Sequence, residues 1–212
     1  MNARAIVFID GNNWYHALKE RGVRDLARLD YRAISEKLSA PRTWLETKYY
    51  IGRVTTKQGA RLYSEQRRFL SSLEATDSRI RVHLGRLEPR PYDNPAVQEL
   101  KHYLANLKVR IDQGVYKDLV QLAQRHERSD VYVEKAVDVM LAVDMVVMAE
   151  RDEYDAAYLL SADGDYTPAV KAVRSHSRKV YAASPIPGAQ LAAAVDSFLP
   201  LRRDWFDDCY KP

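Results

Sequence analysis

Ala5-Ile6-Val7-Phe8-Ile9-Asp10-Gly11-Asn12-Asn13 runs an apolar segment straight into an aspartate and a glycine-containing turn. The stretch Ala5 to Ile9 reads as a strand buried on both faces, as strands of parallel sheets are. Asn12-Asn13 reads as the N-terminal cap of a helix through Trp14 to Glu20. Near the other end, Leu159-Leu160-Ser161-Ala162-Asp163-Gly164-Asp165-Tyr166 has the same design. Open α/β sheets bind ligands at the carboxyl ends of their strands. Two acidic strand ends from distant segments therefore predict one shared site for a hard divalent cation.

The remaining pattern alternates strands with helices. Thr47 to Ile51, Arg79 to Leu84, Ala156 to Ser161 and Lys179 to Ala183 read as further strands. Arg32 to Leu38, Ala60 to Leu73, Glu134 to Glu150, Thr167 to Arg174 and Leu191 to Val195 read as helices. Such alternation predicts an α/β fold with a parallel sheet. Residues 1–200 are expected to form one domain. The proline-marked stretch 88–128 is expected to be an insertion or lid, partly irregular and partly helical, and 201–212 a C-terminal tail.

Composition narrows the class. The 212 residues include 33 Lys and Arg against 29 Asp and Glu, a net charge of +4. That is only mildly basic, but gathering several aspartates at one site leaves the remaining surface more basic than the total. One cysteine, Cys209, excludes an internal disulfide and a cysteine-based metal cage. No apolar run reaches the ~18 residues of a membrane span, and no secretory leader is read. The expected setting is cytoplasmic, with no membrane association.

The carboxylates carry the chemistry. Glu134 to Glu150 is apolar nearly all round, which predicts burial on most faces, yet it contains Asp138 and Asp144, about 120° apart on the helical wheel. A buried carboxylate needs a partner. Lys135 is a local candidate for Asp138, and a structural pair of that kind is the plain alternative to metal binding. Asp144 has no obvious local cation. Asp10, Asp163 and Asp165 each have a turn-forming alternative. Asp163-Gly164-Asp165 lacks the downstream glutamate of an EF-hand loop. No phosphate-cradling glycine loop is present. His16, His83, His102, His126 and His176 show no ligand spacing.

Taken together, Ile9-Asp10-Gly11-Asn12-Asn13, Lys135-Ala136-Val137-Asp138, Asp144-Met145 and Tyr154-Asp155 leading into Leu160-Ser161-Ala162-Asp163-Gly164-Asp165-Tyr166 resemble the NYN family of PIN-like nucleases. Ala162 stands where that family usually has glycine, and Tyr166 where it usually has phenylalanine. The resemblance implies a three-layer, Rossmann-like PIN-type fold with a five-stranded, mostly parallel sheet. It further implies Mg²⁺ or Mn²⁺ as cofactor and hydrolysis of RNA. Carried over by position, Asp10, Asp144 and Asp163 are the core metal ligands, and Asp138 and Asp165 complete the cluster. Asn13 orients Asp10 or contacts phosphate, Ser161 donates a hydrogen bond, and Lys135 anchors Asp138.

An RNA partner needs a basic track beside the acids. Arg53, Lys57, Arg61, Arg67 and Arg68 form one candidate, although a solvated helix face is the default explanation for such a set. A second set comprises Arg86, Arg90, Lys101, Lys108, Arg110 and Lys117. Tyr49, Tyr50, Tyr63, Tyr92 and Tyr103 are candidates to stack on bases or to fill the rim of a core. Single-stranded or loop RNA is the expected substrate. Two readings stay open beside the ribonuclease: a non-catalytic RNA-binding or regulatory module of the same fold, and a hydrolase of small phosphate esters. Self-association, for instance through the tail, is also open.

Overall fold

The computed structural model describes residues 2–93, 95–108 and 110–211, without the side chains of 91–93 and 125–131. Strands and helices follow the order β1 (Arg4–Asp10), α1 (Gly11–Glu20), α2 (Tyr31–Ser39), β2 (Thr43–Arg53), α3 (Ala60–Thr76), β3 (Ile80–Asp93), α4 (Pro95–Leu107) and α5 (Gln113–Glu127). They continue as β4 (Arg128–Lys135), α6 (Val137–Glu150), β5 (Ala156–Leu160), α7 (Thr167–Ser175), β6 (Lys179–Ser184), α8 (Ala189–Ala192) and β7 (Ser197–Pro200). The chain divides into two compact units. One comprises Met1–Arg86 and Glu134–Pro212, and the other Leu87–Val133.

The sheet runs β4-β3-β2-β1-β5-β6-β7. Every pair from β3 to β7 is parallel. The sheet is mixed and, among the described residues, has seven strands, which corrects the expected five. Two strands were missed. The first is β7, four residues long, whose Ser197-Phe198-Leu199-Pro200 is too short to show a period. The second is β4, which runs without a breaker into the apolar stretch expected to be helical from Glu134; Glu134 closes the strand and the helix begins at Val137.

From β1 the chain moves outward to β2 and β3 on one side, and it later returns to build β5, β6 and β7 on the other. The order therefore reverses at β1, and the crevice between β1 and β5 is the switch point where such sheets bind ligands. Ala5 through Asp10 are all buried. Burying Phe8 and Ile9 contributes on the order of 2–3 kcal/mol each.

Side chains alternate across β1 into two cores. Ala5, Val7 and Ile9 pack with Trp14, Leu18, Ile34, Tyr49 and Phe206 under α1 and α2. Ile6 and Phe8 pack with Leu141, Met145, Val170 and Leu191 under α6, α7 and α8. Three layers result. α6 is less enclosed than its composition predicts. Leu141 and Met145 are fully buried, but Val139 is 65% and Val143 52% exposed.

The second unit contains the helices α4 and α5, with Val97, Leu104 and Ala123 as its own small core. The expected insertion 88–128 falls within it.

Candidate metal centre

Asp10 ends β1 and caps α1. One of its oxygens accepts the Asn13 N–H at 3.2 Å. The other faces the Ser161 hydroxyl at 3.3 Å and the Tyr166 hydroxyl at 3.2 Å. The turn-forming reading and the site reading of Asp10 thus hold together: capping occupies Oδ1 and leaves Oδ2 for the crevice. Gly11 is required beside it. A Cβ there would lie 2.6 Å from a Tyr49 ring carbon and 2.7 Å from the Tyr50 carbonyl oxygen.

Glu134 sits at the end of β4, where it accepts the Gly52 N–H from β2. Gly85 on β3 has no side chain because a Cβ would meet Val137 Cγ2 at 2.4 Å and the Lys135 carbonyl at 2.7 Å. Between Glu134 and α6, Ala136 adopts a left-handed conformation with φ of 71°. A non-glycine residue there is strained by about 1–2 kcal/mol. That tight turn sets Asp138 in the first turn of α6. The Tyr166 hydroxyl lies 3.1 Å from Asp138 Oδ1 as well as near Asp10. Carrying one proton, it donates to one of the two at a time.

Asp10, Glu134 and Asp138 each offer an oxygen, and these oxygens all lie within 4.8 Å of one another. Burial pushes the Asp10 carboxyl up to about 6, with the Asn13 N–H opposing and the charge of Asp138 adding. Glu134 is pushed up to about 7, again by burial first, with Gly52 opposing and Asp10 and Asp138 adding. Burial and the same two acids hold the Tyr166 hydroxyl protonated. Three hard oxygen donors from three separate elements form a set suited to a small divalent cation.

The other expected site residues are placed as follows. Ser161 is buried, donates to Asp10 and accepts the Asp163 N–H at 3.1 Å. The Asn13 side chain accepts the Ala162 N–H at 3.0 Å and so ties the start of α1 to the end of β5. Asp163 accepts the Asp165 N–H at 2.9 Å and caps a short 3-10 turn, and Asp165 is exposed. Neither belongs to the close group of three. Among the described residues Lys135 forms no ion pair, so the expected Lys135–Asp138 anchor is replaced by Tyr166.

Asp144 is likewise outside the group. It accepts Tyr50 OH at 2.7 Å and pairs with Lys48 at 3.1 Å. Burial raises its carboxyl, but these two donors outweigh that and hold it below the ordinary range. Its partners come from β2, some 95 residues away in sequence, which is why no local cation was visible. Of the expected basic track, Arg53, Lys57, Arg61, Arg67 and Arg68 are all exposed, along the end of β2 and into α3. Arg61 is paired with Glu65 at 2.7 Å. Tyr92 and His126 have side chains outside the described residues.

Sequence reading missed Glu134. Its signal was present: a β-rich run stopping at a carboxylate, the same design as Ile9-Asp10.

A three-layer α/β sheet with acids gathered at its switch point defines a PIN-like, nuclease-like class of protein. The NYN domain model matches residues 4–202, and the chain belongs to the NYN domain family. The crystal structure of a protein of unknown function from Vibrio parahaemolyticus is similar in fold, with a TM-score of 0.56 at 16% identity. That similarity covers 99% of this chain and 97% of the other. No curated protein sequence matches.

Proposed function

We propose that this protein is a ribonuclease that hydrolyses RNA phosphodiester bonds with Mg²⁺ or Mn²⁺ held by Asp10, Glu134 and Asp138. The observation that carries this reading is the close group of three carboxylates at the β1 switch point. When bound, such an ion polarises a phosphoryl oxygen and lowers the pKa of the attacking water. The chain's own residues do the positioning. Asn13 and Ser161 fix Asp10, Gly52 fixes Glu134, and Tyr166 spans Asp10 and Asp138. Asp163 and Asp165, on the turn after Ser161, are proposed to line the approach of substrate. Arg53, Lys57, Arg67 and Arg68 offer exposed positive charge for the RNA backbone.

The test is cleavage of single-stranded and structured RNAs with Mn²⁺, Mg²⁺ or EDTA, comparing wild type with Asp10→Asn. Metal-dependent cutting lost in the variant supports the proposal. One observation favours the second reading, a non-catalytic RNA-binding module: Asp144, a core ligand by family resemblance, is paired with Lys48 and accepts the Tyr50 hydroxyl. Retained RNA binding with no cleavage under either metal would decide for that module.

A further inference from the structure

On the face of the sheet away from α6, a groove of about 610 Å³ opens between α1 and α3. Its floor is a trio of aromatic rings. Tyr31, Tyr49 and Phe69 meet edge to face, with centroids 5.6 to 6.0 Å apart. Tyr15 of α1, 45% exposed, and Leu62 of α3, 49% exposed, form its walls. Such outward apolar groups in one concave place differ from scattered surface residues.

We infer that this groove is a nucleobase subsite, seating one unpaired base of an RNA strand whose backbone crosses the acidic centre. The inference rests on the ribonuclease reading and adds the place where the strand is gripped. Three observations carry it. The size lies within the usual small-ligand range of ~300–1,000 Å³, and the lining is aromatic with few polar groups. The groove borders the metal centre, since the Tyr49 ring in its floor packs against Gly11, the residue after Asp10. The rim carries Arg68 beside Glu65, whose charge is offset by Arg61 at 2.7 Å, and Lys19 lies 5.4 Å from the centre of the Tyr15 ring. Arg67 and Arg68 have no carboxylate partner among the described residues. Tyr31 and Tyr49 are buried and close the floor, so the rings open to a flat base are the exposed Tyr15 and the half-buried Phe69; stacking there tolerates any base, while Arg67 and Arg68 offer charge to its phosphates.

The test is equilibrium binding of a labelled single-stranded oligoribonucleotide to the full chain in EDTA. Wild type is compared with Tyr15→Ala and Leu62→Ala, whose exposed side chains leave the core intact; thermal unfolding checks this. An oligonucleotide bearing abasic sites and a nucleoside monophosphate serve as the other two ligands. The subsite predicts about tenfold weaker binding of the intact strand by Tyr15→Ala, the scale of one base stack, and a smaller loss in the same direction by Leu62→Ala. The abasic strand should show no difference between variants and wild type. If RNA is bound and cut by the variants as by wild type, the subsite is wrong and the ribonuclease stands. If wild type neither binds nor cuts RNA, both fall. Mononucleotide binding as tight as the strand overturns the assignment to RNA. A wild-type dimer that the substitutions dissociate assigns the groove to a second copy instead.

Discussion

Tyr166 shows how much a single hydroxyl contributes at this site. It reaches Asp10 and Asp138 at 3.2 and 3.1 Å from a buried position. Tyr166→Phe keeps the ring packing and removes only that bridge. Metal affinity, measured by calorimetry with Mn²⁺, should fall about tenfold, as for other groups that orient ligands. The pH behaviour follows from Asp10 and Glu134. With their carboxyls raised to about 6 and about 7, the folded chain holds protons that the unfolded chain has released. The stability this site contributes is therefore fully present below about pH 4. It is lost as pH rises through 6 to 7. Thermal unfolding in EDTA should show a midpoint that falls across that window, with a smaller fall for Asp10→Asn. Added Mn²⁺ should oppose the fall.

At the level of elements, two glycines and one strained alanine bring the acids together. Gly11 lets the turn after β1 pass under Tyr49 and Tyr50, and Gly85 lets the chain after β4 lie against β3. Gly11→Ala should destabilise by about 1–3 kcal/mol, the range for an overpacked site, readable from denaturant midpoints. Ala136→Gly should relieve the left-handed turn and raise stability by up to ~1 kcal/mol, while loosening the spacing from Glu134 to Asp138. The sequence disclosed the elements that announce themselves by burial on both faces: Ala5 to Ile9 and Ala156 to Leu160 are legible because every residue is apolar. It concealed β4, because Val131-Tyr132-Val133 passes without a breaker into the apolar α6. Glu134 was lost with it. Asp144 lies outside the close group of three, and its pairing was hidden for a related reason. Its partners Lys48 and Tyr50 lie on β2, and pairing across a sheet leaves no trace at helical spacing.

Across the whole molecule, a modest excess of positive charge is distributed unevenly. Asp10, Glu134 and Asp138 concentrate negative charge in the switch-point crevice, while Arg53, Lys57, Arg67 and Arg68 lie exposed along β2 and α3. Replacing Arg67 and Arg68 together by alanine should weaken RNA binding uniformly across sequences. The dependence of log affinity on log salt should become shallower by about one for each phosphate that the variant leaves unneutralised. The domain pattern was only partly legible for the same physical reason. Residues 88–128 carry charged, weakly periodic segments whose small core of Val97, Leu104 and Ala123 gives little signal.

The claim that Asp10, Glu134 and Asp138 make the metal centre is tested most directly by Mn²⁺ binding to Glu134→Gln and Asp144→Asn, side by side with wild type. Removing a ligand should cost more than removing an outer-shell partner, so Glu134→Gln should lose about 100-fold in affinity or more. Asp144→Asn, at a residue that shares no hydrogen-bond partner with the three acids among the described residues, should stay within about twofold even if it is less stable. The reverse pattern, with affinity lost in Asp144→Asn and kept in Glu134→Gln, would contradict the site described.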